Sequence, residues 1–169
     1  MDRAGARTPG GLVDRMGSDA RESTTLASDA GTDEKMRVLV YSDDAATREK
    51  VRLAIGRRPA VDVPFVEVVE CATQPKCVQY LDSGEIDVAV LDGEARPAGG
   101  MGVARQAKDE VYDCPPILLI VARRDDRWLA TWSRADAVIG QPIDPVALAD
   151  AVAGLMRQRL ASRGSLTTR

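Results

Sequence analysis

From Met36 to about Arg157, short apolar runs alternate with stretches of helical spacing. Met36-Arg37-Val38-Leu39-Val40-Tyr41 has the β-branched, apolar character of a strand and is closed by Ser42, Asp43 and Asp44. Val51, Leu53, Ala54 and Ile55 then lie within an amphipathic stretch that stops at Gly56 and Pro59. Phe65 to Cys71 alternates as a second strand, and a short helix is predicted around Lys76 to Leu81. Ile86-Asp87-Val88-Ala89-Val90-Leu91-Asp92 reads as a buried strand that carries a carboxylate to its carboxyl end. Met101 to Val111 has helical spacing, Ile117 to Val121 is a continuous apolar strand, and Arg127 to Ser133 is a short helix. Ala137-Val138-Ile139 forms the fifth strand. Asp144-Pro145 opens the last helix, with aspartate as N-cap and proline at the first helical position. Val146, Leu148, Ala149, Val152, Leu155 and Met156 give that helix an apolar stripe. Strands and helices that alternate in this way imply right-handed crossovers and a parallel sheet covered on both faces.

Composition narrows the functional classes. A chain of 169 residues with 44% apolar content supports one domain of about 120 residues plus tails. A net charge of -3 and a pI near 5.1 give no chain-wide electrostatic reason to bind nucleic acid. No run of about 18 apolar residues predicts a membrane span, and the N-terminus lacks the apolar core of a secretory signal. Cys71, Cys77 and Cys114 are odd in number and lack C-x-x-C spacing, which points to reduced packing thiols in a cytoplasmic protein. Histidine is absent, which excludes a histidine general base, a Ser-His-Asp triad and histidine metal ligands.

Residues 1–35 are rich in Gly, Ser, Thr, Asp and Arg, hold no aromatic residue and show no sustained period. Such a segment buries too little apolar surface to offset its ordering entropy, so it is expected to be disordered alone or ordered by a partner. Residues 36–157 form the domain, and 158–169 are expected to be a flexible tail.

The order of elements, together with Arg37 to Arg48, the Asp92 strand and Gln141-Pro142-Ile143-Asp144-Pro145, resembles the response-regulator receiver domain. The resemblance covers most of the ordered chain. It implies a flavodoxin-like (βα)5 fold, an α/β three-layer sandwich around a five-stranded parallel sheet. It also makes Asp92 the phosphoacceptor position. Receivers hold Mg²⁺ with an acidic pair after the first strand, and the register set by Arg48 places Ser42 and Asp43 there, with Asp44 next as a partial stand-in. The hydroxyl expected at the end of the fourth strand is replaced by Val121, and the lysine before the cis proline by Gln141. The aromatic switch residue of the fifth strand is replaced by Val138, and Pro97 falls one place later than usual before Gly99 and Gly100.

These departures bear directly on chemistry. Phosphoryl transfer to a carboxylate needs a cation and positive charge on the three oxygens, because its catalysis is mostly positioning and electrostatics. Gln141 offers a dipole where a full charge is expected, and Ser42 is a poor Mg²⁺ ligand beside a carboxylate. The reading is therefore a degenerate pseudo-receiver in which Asp43 and Asp92 are inherited polar residues of a solvated cleft. A residual Mg²⁺ site on Asp43 and Asp92 with slow phosphorylation in two-component signalling is the alternative, and no other cofactor is expected.

The Gly-rich stretch Ala98 to Gly102 opens a helix but lacks dinucleotide-fingerprint spacing, so it is read as a flexible loop. Trp128 and Trp132, the two tryptophans of the chain, stand four apart and share a helix face. They are either core filling or interface anchors ringed by Arg123, Arg124, Arg127 and Arg134. The family's use of this region for partner contacts favours an interface that includes Arg124 and Arg127. About ten residues follow the domain, too few for a helix-turn-helix, so output is expected from the receiver surface or the tails. The chain is also similar to the orphan receiver-like proteins associated with bacterial respiratory NADH:quinone oxidoreductase (complex I). That similarity implies a non-enzymatic accessory subunit on the peripheral arm, at the cytoplasmic side of the membrane and without membrane insertion.

Overall fold

The structure, a computed structural model, describes residues 34–166, without the side chains of Arg124, Arg127, Ala130 and Leu166. The N-terminal extension inferred from the sequence therefore lies outside the described residues, apart from Glu34 and Lys35.

Among the described residues five strands and five α-helices alternate: β1 (Met36–Tyr41), α1 (Ala45–Ile55), β2 (Val66–Cys71), α2 (Gln74–Asp82), β3 (Val88–Asp92), α3 (Gly100–Glu110), β4 (Ile117–Val121), α4 (Trp128–Ser133), β5 (Ala137–Gly140) and α5 (Pro145–Leu166). The strands pair in parallel in the order β2-β1-β3-β4-β5. This is the flavodoxin-like order, with β1 and β3 adjacent at the point where the winding reverses. β3 and β4 are buried along their whole length, which explains their unbroken apolar sequences.

The alternation along each strand sends side chains to two cores. Val38, Val40, Val88, Val90, Leu118 and Ile120 meet Val51 and Ile55 of α1 and Leu148, Val152 and Met156 of α5. Leu39, Tyr41, Ala89, Leu91, Leu119 and Val121 meet Cys77 and Leu81 of α2 and Val103, Ala104 and Ala107 of α3. Burying a Val, Leu or Ile side chain contributes about 1.5–3 kcal/mol, so these two layers hold the carboxyl edge of the sheet in place.

Caps fix two helix starts. Asp44 accepts from the N–H groups of Ala46 and Thr47 at 3.0 and 3.2 Å, and Asp144 from those of Val146 and Ala147 at 2.9 and 3.3 Å.

Two elements differ from the sequence expectation. The fourth helical region begins as a 3-10 turn over Arg124–Arg127 and becomes α-helical only at Trp128. The last helix continues through Leu166, beyond the domain end expected at Arg157, and takes in most of the segment read as a flexible tail. Long-range ion pairs account for the extension. Arg159 binds both carboxylate oxygens of Asp113 at 2.8 Å, and Arg163 lies 2.6 Å from Asp87. Among the described residues no helix is long and apolar enough to cross a membrane.

Candidate functional site

β1 and β3 end side by side, with Tyr41 paired to Leu91. The residues that follow, Ser42 and Asp92, therefore meet at the carboxyl edge of the sheet. Ser42 is fully buried and Asp92 is 5% exposed. The Ser42 hydroxyl donates to Asp92 Oδ2 at 2.7 Å and accepts from the Asp44 N–H at 3.1 Å. Asp92 Oδ1 accepts from the Glu94 N–H at 3.0 Å. Arg48 fixes the turn from outside, donating to the Ser42 carbonyl at 2.6 Å while it pairs with Glu70.

The sequence places Asp43 and Asp44 beside this pair, and the structure separates their roles. Asp43 is exposed. Both carboxylate oxygens of Asp44 face α1, and Oδ2 also accepts the Thr47 hydroxyl at 2.8 Å. The Thr47 hydroxyl, then the Ala46 N–H, hold the Asp44 carboxyl below its ordinary range. Asp44 is thus a helix cap, and its oxygens are not turned to a shared ligand site with Asp92.

Val121, at the end of β4, is buried, and its carbonyl accepts from the Gln141 N–H at 2.8 Å. Gln141 precedes a cis proline, Pro142, as the resemblance implies. Val138 is half-buried on β5. Val121 supplies no side-chain donor and Gln141 only a neutral amide, so neither brings positive charge to a phosphoryl oxygen.

Of the residues the family implies for Mg²⁺, Asp43 is exposed, each Asp92 oxygen accepts one hydrogen bond, Ser42 is neutral and Asp44 is committed to α1. Among the described residues no group of three or more Asp, Glu or Cys side chains converges as a metal site.

Several contributors were not apparent from the sequence. The Tyr41 hydroxyl donates to the Ala98 carbonyl at 2.6 Å and ties the loop after Asp92 to β1. Burial, then the neighbouring Cys77 and Cys71 thiols, raise the Tyr41 pKa, which keeps it a neutral donor. The sequence signal was only that a buried tyrosine seeks a partner for its hydroxyl. The glycine stretch is also tighter than a flexible loop. A Cβ on Gly99 would meet the Gly93 carbonyl oxygen at 2.6 Å, and one on Gly100 would meet the Asp92 carbonyl oxygen at 2.6 Å. Glycine is required there because two backbones touch.

A second feature is built by α3 and α4. Trp128 and Trp132 are 67% and 52% exposed, so they are surface residues and not core filling. With Met101 and Leu129 they line a groove of about 320 Å³. Arg105 braces its rim by donating to the Trp132 carbonyl at 3.0 Å, and Asp109 ties Arg105 to Arg134. The Arg124 and Arg127 side chains assigned to this interface from the sequence lie outside the described residues.

An uncharacterized response regulatory protein of Mycobacterium tuberculosis, in each of two strains, is 52% identical over 122 residues, covering 72% of this chain and 92% of the relative. The chain belongs to the response-regulator receiver family. Solved receivers share the fold at much lower identity. The CheY-like receiver domain of Methanospirillum hungatei is 16% identical with a TM-score of 0.62, over 76% of this chain and 98% of that one. A two-component transcriptional regulator from Clostridium phytofermentans is 18% identical with a TM-score of 0.64, over 78% and 99%. The BeF3-activated DrrB receiver domain is 18% identical with a TM-score of 0.60, over 73% and 98%. No protein-family model matches the chain. In this receiver the acceptor position keeps its aspartate, while the residues around it form a closed hydrogen-bonded cluster.

Proposed function

We propose that this receiver is a pseudo-receiver, a non-enzymatic interaction module that acts through its surface. The observation that carries this reading is the 2.7 Å bond from the Ser42 hydroxyl to Asp92. A phosphoacceptor must present a carboxylate oxygen to the incoming phosphorus, with a cation and positive charge beside it. Here that carboxylate already serves a buried hydroxyl and a backbone N–H. Val121 and Gln141 add no charge.

The exposed Trp128–Trp132 groove is the docking surface in this reading, because tryptophan anchors dominate interface hot spots. The partner is a protein, a larger bacterial complex to which the chain is an accessory subunit without a cofactor of its own. The similarity noted from the sequence points to the peripheral arm of respiratory NADH:quinone oxidoreductase, at the cytoplasmic side of the membrane. The competing reading, a working phosphoacceptor with Mg²⁺ on Asp92, draws support from the retained aspartate and from the response-regulatory name of the relative.

Beryllofluoride with Mg²⁺ separates the two. Amide spectra that stay unchanged around Asp92, Val121 and Gln141 support the pseudo-receiver, whereas shifts abolished by Asp92→Asn would establish the phosphoacceptor. For the partner, the tagged chain at native expression is expected to co-fractionate with NADH:quinone oxidoreductase activity. Migration as a free monomer removes the accessory-subunit assignment.

A further inference from the structure

Met101, in the first turn of α3, and Trp128, Leu129 and Trp132 of α4 line a groove of about 320 Å³ with no charged wall. That volume is at the low end of the about 300–1,000 Å³ typical of small-molecule sites, which also carry several convergent polar groups. The indole N–H groups are the only side-chain hydrogen donors among these four residues. The groove therefore suits one or two large apolar side chains better than a cofactor. Both walls are helices, and a third helix laid along them presents apolar anchors at i, i+3 and i+4.

Charge around the groove fixes the sign of what lies in it. Residues 123–134 contain four arginines against Asp125 and Asp126, a surplus of two positive charges in a chain of net charge -3. Arg123 is exposed at the start of the turn that leads into α4. At the other end of α4, Asp109 joins Arg105, at 2.9 Å, to Arg134. One carboxylate there serves two guanidinium groups, so that end keeps a positive charge and shows how an acidic side chain is held. Arg105 also donates to the Trp132 carbonyl at 3.0 Å, which sets this charge at the rim. An anionic bilayer offers the same charge but a flat surface, whereas these apolar side chains line a concave groove.

We propose that the groove between α3 and α4 binds an acidic amphipathic helix of a protein partner. Leucine- or phenylalanine-sized anchors enter beside Trp128 and Trp132, and carboxylates lie toward Arg123 and Arg134. The inference rests on the docking surface proposed above and adds the chemistry of its occupant. Apolar contact with the tryptophans supplies most of the affinity, while the arginines set the encounter rate and the choice of partner.

Trp128 and Trp132 are the two tryptophans of the chain, so the intrinsic fluorescence of the full chain reads the groove directly. The probe is a tryptophan-free synthetic helix of about four turns, with leucines along one face and glutamates on the other. A matched peptide carries lysine at each glutamate position, and a second carries serine at each leucine. The glutamate–leucine peptide is expected to move the emission to the blue in a saturable titration. Its affinity should fall roughly tenfold between about 0.1 and 1 M salt, as the Debye length drops from about 10 to 3 Å. The other two peptides should leave the emission unchanged. Trp128→Ala, read through Trp132, should abolish the response. Arg134→Glu should weaken it roughly tenfold, and so should Arg123→Glu, which breaks no contact with Asp109 and guards against a folding defect. Equal binding of the lysine peptide overturns the acidic assignment and leaves the docking surface standing. The proposal is also overturned by a response to phosphatidylglycerol–phosphatidylcholine vesicles without one to the peptide, by a blue shift that grows with protein concentration alone, or by no response to any helix. Loss of the docking surface itself is read separately, from retention of the Trp128→Ala, Trp132→Ala variant in the co-fractionating complex.

Discussion

One hydroxyl governs the chemistry open to the cleft. Ser42 donates to Asp92 and accepts from the Asp44 N–H, so its single proton and a lone pair are both assigned. Ser42→Asp replaces that donor with a second carboxylate beside Asp92. Like charges at that distance attract a cation, so the variant is expected to gain saturable, millimolar Mg²⁺ binding that the parent lacks. A Mg²⁺ titration followed by amide shifts at Asp92 and Glu94 measures it, and equal response in parent and variant refutes the assignment. Tyr41 offers a second residue-scale test. Tyr41→Phe removes one partly buried hydrogen bond and leaves the Ala98 carbonyl without that donor, which costs about 0.5–1.5 kcal/mol. The urea midpoint should fall, and amide exchange should quicken in residues 93–99. The sequence placed Asp92 correctly because five consecutive buried residues end on it. It could not show the Ser42 bond, since a serine hydroxyl rotates freely and its partner lies 50 positions away.

Among the elements, local signals were legible and long-range ones were not. β4 was read with its observed bounds, because Pro115 and Pro116 mark its start and Ile117 to Val121 are uniformly apolar. α5 announced its start through the Asp144 cap, whereas the cap that Asp44 makes on α1 was not read from the sequence. The continuation of α5 past Arg157 was hidden, because its polar residues look like a solvated tail until Asp113 and Asp87 are brought beneath them. Arg159 is buried while Asp113 is largely exposed, so water screens part of their attraction. Arg159→Ala should still lower stability by about 1–2 kcal/mol through lost charged hydrogen bonds and stem packing, and should fray the last turns of α5. Circular dichroism and amide exchange after residue 155 report both. The outer clamp of the same helix sets an acid limit. Hydrogen bonding to Arg157 lowers the Asp62 carboxyl to about 2, against about 3.9 in an unfolded chain. A depressed folded pKa contributes stability that is complete above the unfolded value and is lost as pH falls through the folded one. The Asp62–Arg157 contact should therefore persist down to about pH 4 and open as pH approaches 2, which a carboxyl-carbon titration of Asp62 can follow.

At the scale of the whole molecule, the docking surface proposed above lies outside the two cores. The two cores between sheet and helices account for the fold, and neither contains a tryptophan. The two largest apolar side chains of the chain stand instead on α4, where burial within this domain gives them little. Surface substitutions away from caps and buried networks usually change stability by no more than about 0.5 kcal/mol. A tryptophan seated in a partner commonly contributes 2 kcal/mol or more, about a thirtyfold change in affinity. The two scales predict a clean separation. Trp128→Ala with Trp132→Ala should leave the thermal midpoint and the β-sheet amide spectrum close to those of the parent. The same variant should fall out of the proposed complex and migrate alone. Retention in the complex by the folded variant moves the docking surface elsewhere on the receiver. A collapse in the thermal midpoint instead makes the tryptophans structural, and the groove beside Met101 a consequence of how α4 packs on α3.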